Sequence, residues 1–202
     1  FPYYLDPNFK VAYDNFVKEF ATKYNNNPVI DSVKVGGYGR WEEMTLCDDV
    51  EHDWLQDQWI AYGYSDDEYI DHVKWCIDTY LKYFTNVNVK MCGVGYGGND
   101  YFKDQVLLDW TIQNYALKNG VGIQYNGWQS TCTEWGSPAS AFFYMMRRFK
   151  ERGVKTSFEQ GGQINNDGAL PGLPPFSQIM GHPISLYNVA ILYGIDYQWT
   201  YS

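Results

Sequence analysis

Helix-patterned segments and short β-branched runs take turns along this chain from start to finish, which fits a parallel sheet flanked by helices better than a sandwich or a bundle. Asp6-Pro7 supplies an N-cap and a first helical position, and Phe9, Tyr13, Phe16, Val17, Phe20 and Tyr24 follow at helical spacing. Asn25-Asn26-Asn27-Pro28 ends that helix, and a strand is expected over residues 30–35. After a long acidic and aromatic loop over 42–64, Ser65-Asp66-Asp67-Glu68 forms a capping box. It opens a second helix with the stripe Ile70, Val73, Ile77, Tyr80, Leu81 and Phe84.

The alternation continues with a strand over 87–94, a helix over about 103–118 stopped at Asn119-Gly120, and a strand over 121–125. Ser137-Pro138 opens the next helix, which Gly153 ends before a strand over 154–158. A Gly/Pro-rich loop leads to a last helix over about 183–193 and a final strand over 195–200. The expectation is about five parallel strands and five helices in one α/β domain over 1–202, with no linker and no internal repeat. An eight-stranded (β/α) barrel has eight of each in about 250 residues, so the chain reads as an incomplete TIM barrel. An open, doubly wound five-stranded sheet is the alternative, and length alone fits it better.

Two sets of carboxylates fall where such strands end. Glu42 and Glu43 close Gly36-Gly37-Tyr38-Gly39-Arg40-Trp41-Glu42-Glu43 after the first strand, and Glu159 closes Val154-Lys155-Thr156-Ser157-Phe158. In (β/α) barrels the C-terminal ends of the strands carry the active site. The bland alternatives are an ion pair of Glu42 with Arg40, and of Glu159 with Lys155 or a loop amide.

Composition narrows the partners. Aromatics make up 19% of the chain, with 19 Tyr and 8 Trp, more than a core of this size needs. The surplus suits stacking on the apolar faces of sugar rings, while most of the Tyr residues serve packing. A net charge of −9 and the lack of any Lys/Arg-rich run argue against nucleic acid and anionic membranes. No apolar stretch approaches the roughly 20 residues of a membrane span. The amino-terminal Phe1-Pro2-Tyr3-Tyr4 has no signal-peptide character, so any such segment is expected to be gone or never present.

No metal or cofactor is expected. Cys47, Cys76, Cys92 and Cys132 lack zinc spacing, and the acidic loop Asp48-Asp49-Val50-Glu51-His52-Asp53 lacks the Gly turn and ligand spacing of a calcium loop. Cys47 and Cys132 fall in loops on the predicted active face and are a possible bridge. Cys76 and Cys92 fall in a helix and a strand and read as buried thiols, and together this leans towards a secreted setting. Gly93-Val94-Gly95-Tyr96-Gly97-Gly98 does not match a dinucleotide fingerprint, no GxSxG elbow occurs, and the histidines, including His182 in its turn, show no catalytic arrangement.

The helix and strand over residues 9–44, with Val35-Gly36-Gly37-Tyr38-Gly39-Arg40-Trp41-Glu42-Glu43 at their end, resemble clan A of the retaining glycoside hydrolases, the β-galactosidase-like TIM barrels. The likeness extends more loosely to Ser202. It implies that the chain is the C-terminal part of a glycosidase-like catalytic domain, from helix three to strand eight of the barrel. The N-terminal half-barrel would then come from the same or another chain.

The resemblance further implies that Glu43 is the acid/base at the end of strand four and Glu159 the nucleophile at the end of strand seven. Trp41, Glu42, Tyr96, Tyr125, Asn126, Trp128 and Trp199 would bind a carbohydrate substrate, Tyr125 and Trp199 matching an aromatic residue and a Trp of the family pattern. Retention needs the two carboxyls about 5–5.5 Å apart, one attacking the anomeric carbon and one protonating the leaving oxygen. One departure stands out: many members have Asn before the acid/base, and here that position is Glu42. A non-catalytic extracellular carbohydrate-binding or structural protein on the same barrel is the rival expectation.

Overall fold

Asp6 accepts a hydrogen bond from the Asn8 amide at 2.8 Å and Pro7 takes the first helical position, so α1 (Pro7–Tyr24) starts where the sequence places it. The computed structural model describes residues 4–38, 60–63, 65–92, 105–128, 149–160 and 197–199. Contacts divide the chain into two compact units, Phe1–Val121 and Gly122–Ser202. Within each, every paired strand is parallel to its neighbour.

The first unit holds α1, β1 (Ser32–Lys34), α2 (Asp66–Tyr83), β2 (Asn88–Cys92) and α3 (Gln105–Lys118). Ser65 caps α2 by accepting from the Glu68 amide at 3.3 Å, as the capping box predicts. β1 and β2 pair with Ser32, Val33 and Lys34 opposite Asn88, Val89 and Lys90, and the Val35 amide extends the ladder to the Lys90 carbonyl. Val17, Val33, Val35, Val73, Ile77, Val89, Met91 and Ile112 are buried, each apolar side chain contributing roughly 1.5–3 kcal/mol. Gly120, at φ 79°, stops α3 as expected.

The α1 stripe needs one correction. Val17 and Ala21 are buried, whereas Phe16 is 59% exposed and stacks on Phe20 at 6.0 Å. The contact with α2 runs instead through Tyr13 on Trp75 and Phe20 on Phe84, both with centroids 5.4 Å apart. Asp14 secures the same seam, accepting from Tyr83 at 2.7 Å and from Lys82 at 3.1 Å. At the N-terminal ends of the strands, Asn25 accepts from the Asn86 amide at 2.9 Å, and Asn26 from the Asn86 side chain at 2.6 Å, which ties the two preceding loops together.

The second unit contains β3 (Gly122–Trp128), β4 (Thr156–Gln160) and β5 (Tyr197–Trp199), paired in that order. Residues 149–151 end a helix at Gly153, φ 79°, again where expected. Two strands are displaced from their predicted bounds. β3 runs three residues past 125, and β4 begins at Thr156 and continues through Gln160. Glu159 therefore lies inside its strand, because the ladders to β3 and β5 both persist to that position. The helix expected over 183–193 lies outside the described residues.

Candidate functional site

The strand ends of the second unit bring three of the predicted positions into one row. Asn126 on β3 is the Cα partner of Glu159 on β4, and Glu159 is the partner of Trp199 on β5. All three stand near the C-terminal ends of parallel strands. Tyr125 pairs one step back, with Phe158, so Asn126 rather than Tyr125 is level with Glu159. The ladder shifts between Asn126 and Trp128, and Trp128 pairs with Gln160.

One layer towards the N-terminal ends, Gln124, Ser157 and Tyr197 form the preceding row of that pleat face. The Ser157 hydroxyl donates to the Gln124 side-chain carbonyl at 3.2 Å, and both residues are buried. Burying polar groups costs free energy unless they are bonded, and this pair satisfies one another across the β3–β4 seam. Nothing in the local pattern signals it beyond two polar residues inside apolar runs.

In the first unit, β1 ends in a turn gripped from the helices. The Tyr13 hydroxyl on α1 donates to the Gly36 carbonyl, His72 Nε2 on α2 bonds the Gly37 carbonyl at 2.8 Å, and the Tyr69 hydroxyl donates to the Tyr38 carbonyl at 2.8 Å. Three successive carbonyls are thus held by three side chains. Gly37 sits at φ 85°, and a Cβ there would meet the Tyr13 ring at 2.5–2.8 Å, so only glycine fits. The Tyr38 side chain reaches the end of β2, bonding both the amide and the carbonyl of Cys92.

The grip is built from uncharged groups. Burial holds the His72 imidazole below its ordinary pKa, against the opposing effect of its bond to Gly37, and Lys10 adds to the depression. Burial likewise pushes the Cys76 thiol up to about 12 and raises the Tyr13 phenol. Cys76 Sγ lies 3.6 Å from His72 Nε2, yet a thiol so hard to ionise is no nucleophile. His72 is also packed between Tyr4 at 4.6 Å and Trp75 at 5.8 Å, centroid to centroid. The apolar stripe expected on α2 leaves out His72, which shares its buried side with Cys76.

Glu42, Glu43, Trp41 and Tyr96 lie outside the described residues, as do Cys47, Cys132, the acidic loop over 48–53 and His182. Cys76 and Cys92 are buried free thiols, as expected. Among the described residues no group of three or more His, Cys, Asp or Glu could hold a metal ion, and no helix is long and apolar enough to cross a membrane. Compared with known protein families and with curated protein sequences, the chain matches none.

Proposed function

We propose that the chain is part of a (β/α) barrel that hydrolyses glycosidic bonds with retention of configuration. The observation that supports this reading is the row Asn126–Glu159–Trp199, backbone partners across β3, β4 and β5 near the C-terminal ends of parallel strands. Glu159 attacks the anomeric carbon and forms a glycosyl ester while Glu43 gives its proton to the departing oxygen. Glu43 then takes a proton from water, whose oxygen attacks the same carbon and releases Glu159. Asn126 and Trp199, with Trp41, Glu42, Tyr96, Tyr125 and Trp128, bind a poly- or oligosaccharide. On this reading the remaining strands belong to the same polypeptide or to a second chain, and the protein works outside the cell.

The test is hydrolysis of a panel of aryl glycosides by the wild type, Glu159→Gln and Glu43→Gln. Glu159→Gln should abolish turnover while keeping sugar binding, and Glu43→Gln should slow it by at least about 100-fold. Product anomers followed by NMR should keep the substrate configuration. Glu42, standing where related enzymes have Asn, favours a second reading, a sugar-binding protein without hydrolysis. Wild-type binding of oligosaccharides with no turnover on any glycoside would establish that reading and remove the first.

A further inference from the structure

The turn Gly36–Gly37–Tyr38 is held in part by an imidazole, a side chain whose ordinary titration falls in the mildly acidic range. The Gly37 carbonyl only accepts, so the His72 nitrogen 2.8 Å away must carry the proton, which fixes the Nε2–H tautomer and leaves Nδ1 bare. Nδ1 is buried and has no hydrogen-bond partner among the described residues, and His72 as a whole is 1% exposed. A second proton would therefore place an N–H and a charge where nothing described accepts either.

Among the described residues, none in contact with His72 offers a counter-charge. Phe9 and Lys10 face His72 from α1, Tyr4 from the amino-terminal segment, and Trp75 and Cys76 from α2 itself, while Tyr13 and Tyr69 bond the carbonyls on either side of Gly37. Of these Lys10 is charged, and its sign opposes protonation. The phenols and the Cys76 thiol stay neutral at any pH at which imidazole titrates. Protonated His72 gains solvation by leaving its site, and leaving breaks the bond to Gly37. The turn has little freedom to follow, because Gly37 already lies against the Tyr13 ring.

We propose that His72 is a proton-operated latch on the turn Gly36–Gly37–Tyr38, closed while the imidazole is neutral and open once it is doubly protonated. Tyr13 and Tyr69 hold the neighbouring carbonyls through groups that do not titrate in that range, so His72 is the sensitive member of the three. The latch itself stands on the geometry of α1, α2 and the turn. Its consequence for catalysis, an acid limit set through the segment leading to Glu42 and Glu43, rests on the hydrolase reading.

The experiment is an NMR titration of the isotope-labelled 202-residue chain, following the His72 ring nitrogens and the Gly37 carbonyl carbon together. The expected result is the Nε2–H tautomer at neutral pH, and a Gly37 carbonyl shift that moves with the same midpoint as imidazole protonation. His72→Gln keeps an amide donor and cannot titrate, so its Gly37 signal should stay in place through the same range. A wild-type Gly37 signal that ignores His72 protonation overturns the latch, as does a His72→Gln signal that moves like the wild type. Should His72→Gln not fold, the wild-type titration decides alone. Both readouts are spectroscopic, so absence of hydrolysis would sink the enzymatic reading and leave this test standing.

Discussion

The Tyr38 hydroxyl donates to the Cys92 carbonyl and accepts from the Cys92 amide, each at 3.2 Å. One side chain thereby serves the last residue of β2 as a strand neighbour would. Tyr38 is 1% exposed and its own carbonyl is held by Tyr69, so the hydroxyl is fixed from both ends. Tyr38→Phe keeps the ring and removes both bonds inside a buried site. The expected loss is about 1–3 kcal/mol of unfolding free energy in urea, with an unchanged denaturant slope. A loss below about 0.5 kcal/mol would show that the bonds matter little to stability.

Two glycines with almost the same backbone separate sterics from conformational preference. Gly37 and Gly120 have φ of 85° and 79°, but a Cβ on Gly120 meets nothing within 4 Å, while one on Gly37 meets the Tyr13 ring at 2.5–2.8 Å. Gly120→Ala should cost about 1–2 kcal/mol, the penalty of the left-handed conformation alone. Gly37→Ala should cost clearly more, by about 1–3 kcal/mol of overpacking. Combining Gly37→Ala with Tyr13→Ala should recover part of that excess in a double-mutant cycle. Equal costs at the two glycines would refute the steric account.

The elements with strong local signals were legible in the sequence. Asp6-Pro7, Ser65 with Glu68, Asn119-Gly120 and Gly153 mark helix ends through chemistry that acts within a few residues, and the structure uses each of them. Strand limits were not, because a ladder extends as far as its neighbours allow; β4 reaches Gln160 through its pairing with Trp128 of β3. The grip on Gly36–Tyr38 was equally hidden. It joins residues 23 to 35 positions apart, and nothing in the local pattern distinguishes Tyr13 or His72 from ordinary helix aromatics. Of the candidate site, the row through Glu159 was anticipated as residues near strand ends, but its register required the backbone.

Cys76 and Cys92 should resist alkylation in the folded protein. Both are fully buried, and burial holds the Cys76 thiol near 12, far above the pH at which thiols normally react. Brief iodoacetamide treatment at mildly alkaline pH, followed by peptide mass mapping, should leave both unmodified, and denaturant should expose both. Rapid native labelling of Cys76 would mean that the α1–α2 seam opens readily.

Stability should fall in two steps as acid is added. His72 has a native pKa below its ordinary 6.5, so in the interval between the two values the unfolded chain binds more protons and stability rises with pH. The His72 contribution is thus present above 6.5 and lost as pH falls through the lowered value. Asp14 repeats this lower down: the Tyr83 hydrogen bond, with Lys82, holds its carboxyl below 3.8, and its contribution is lost below that point. Urea unfolding between about pH 7 and about pH 5 should show the first decline, flattened in His72→Gln. An unchanged slope in that variant would assign the decline to other groups.

Ser157 offers the most direct link between the β3–β4 seam and Glu159. It is fully buried, donates to Gln124 at 3.2 Å, and stands two positions before Glu159 on the same pleat face, as Gln124 does before Asn126. Ser157→Ala removes the hydroxyl and should cost about 1–2 kcal/mol, because the Gln124 carbonyl loses a buried donor. Ser157→Thr restores a hydroxyl but adds a methyl group at a fully buried position, and about 1–3 kcal/mol of overpacking should replace the loss. If Glu159 is the nucleophile, loosening the layer beneath it misplaces the attacking oxygen more than it weakens sugar binding. Ser157→Ala should then lower kcat several-fold with KM little changed. A rise in KM at constant kcat would instead place Ser157 beneath a binding surface and move the reacting carboxylate away from β4.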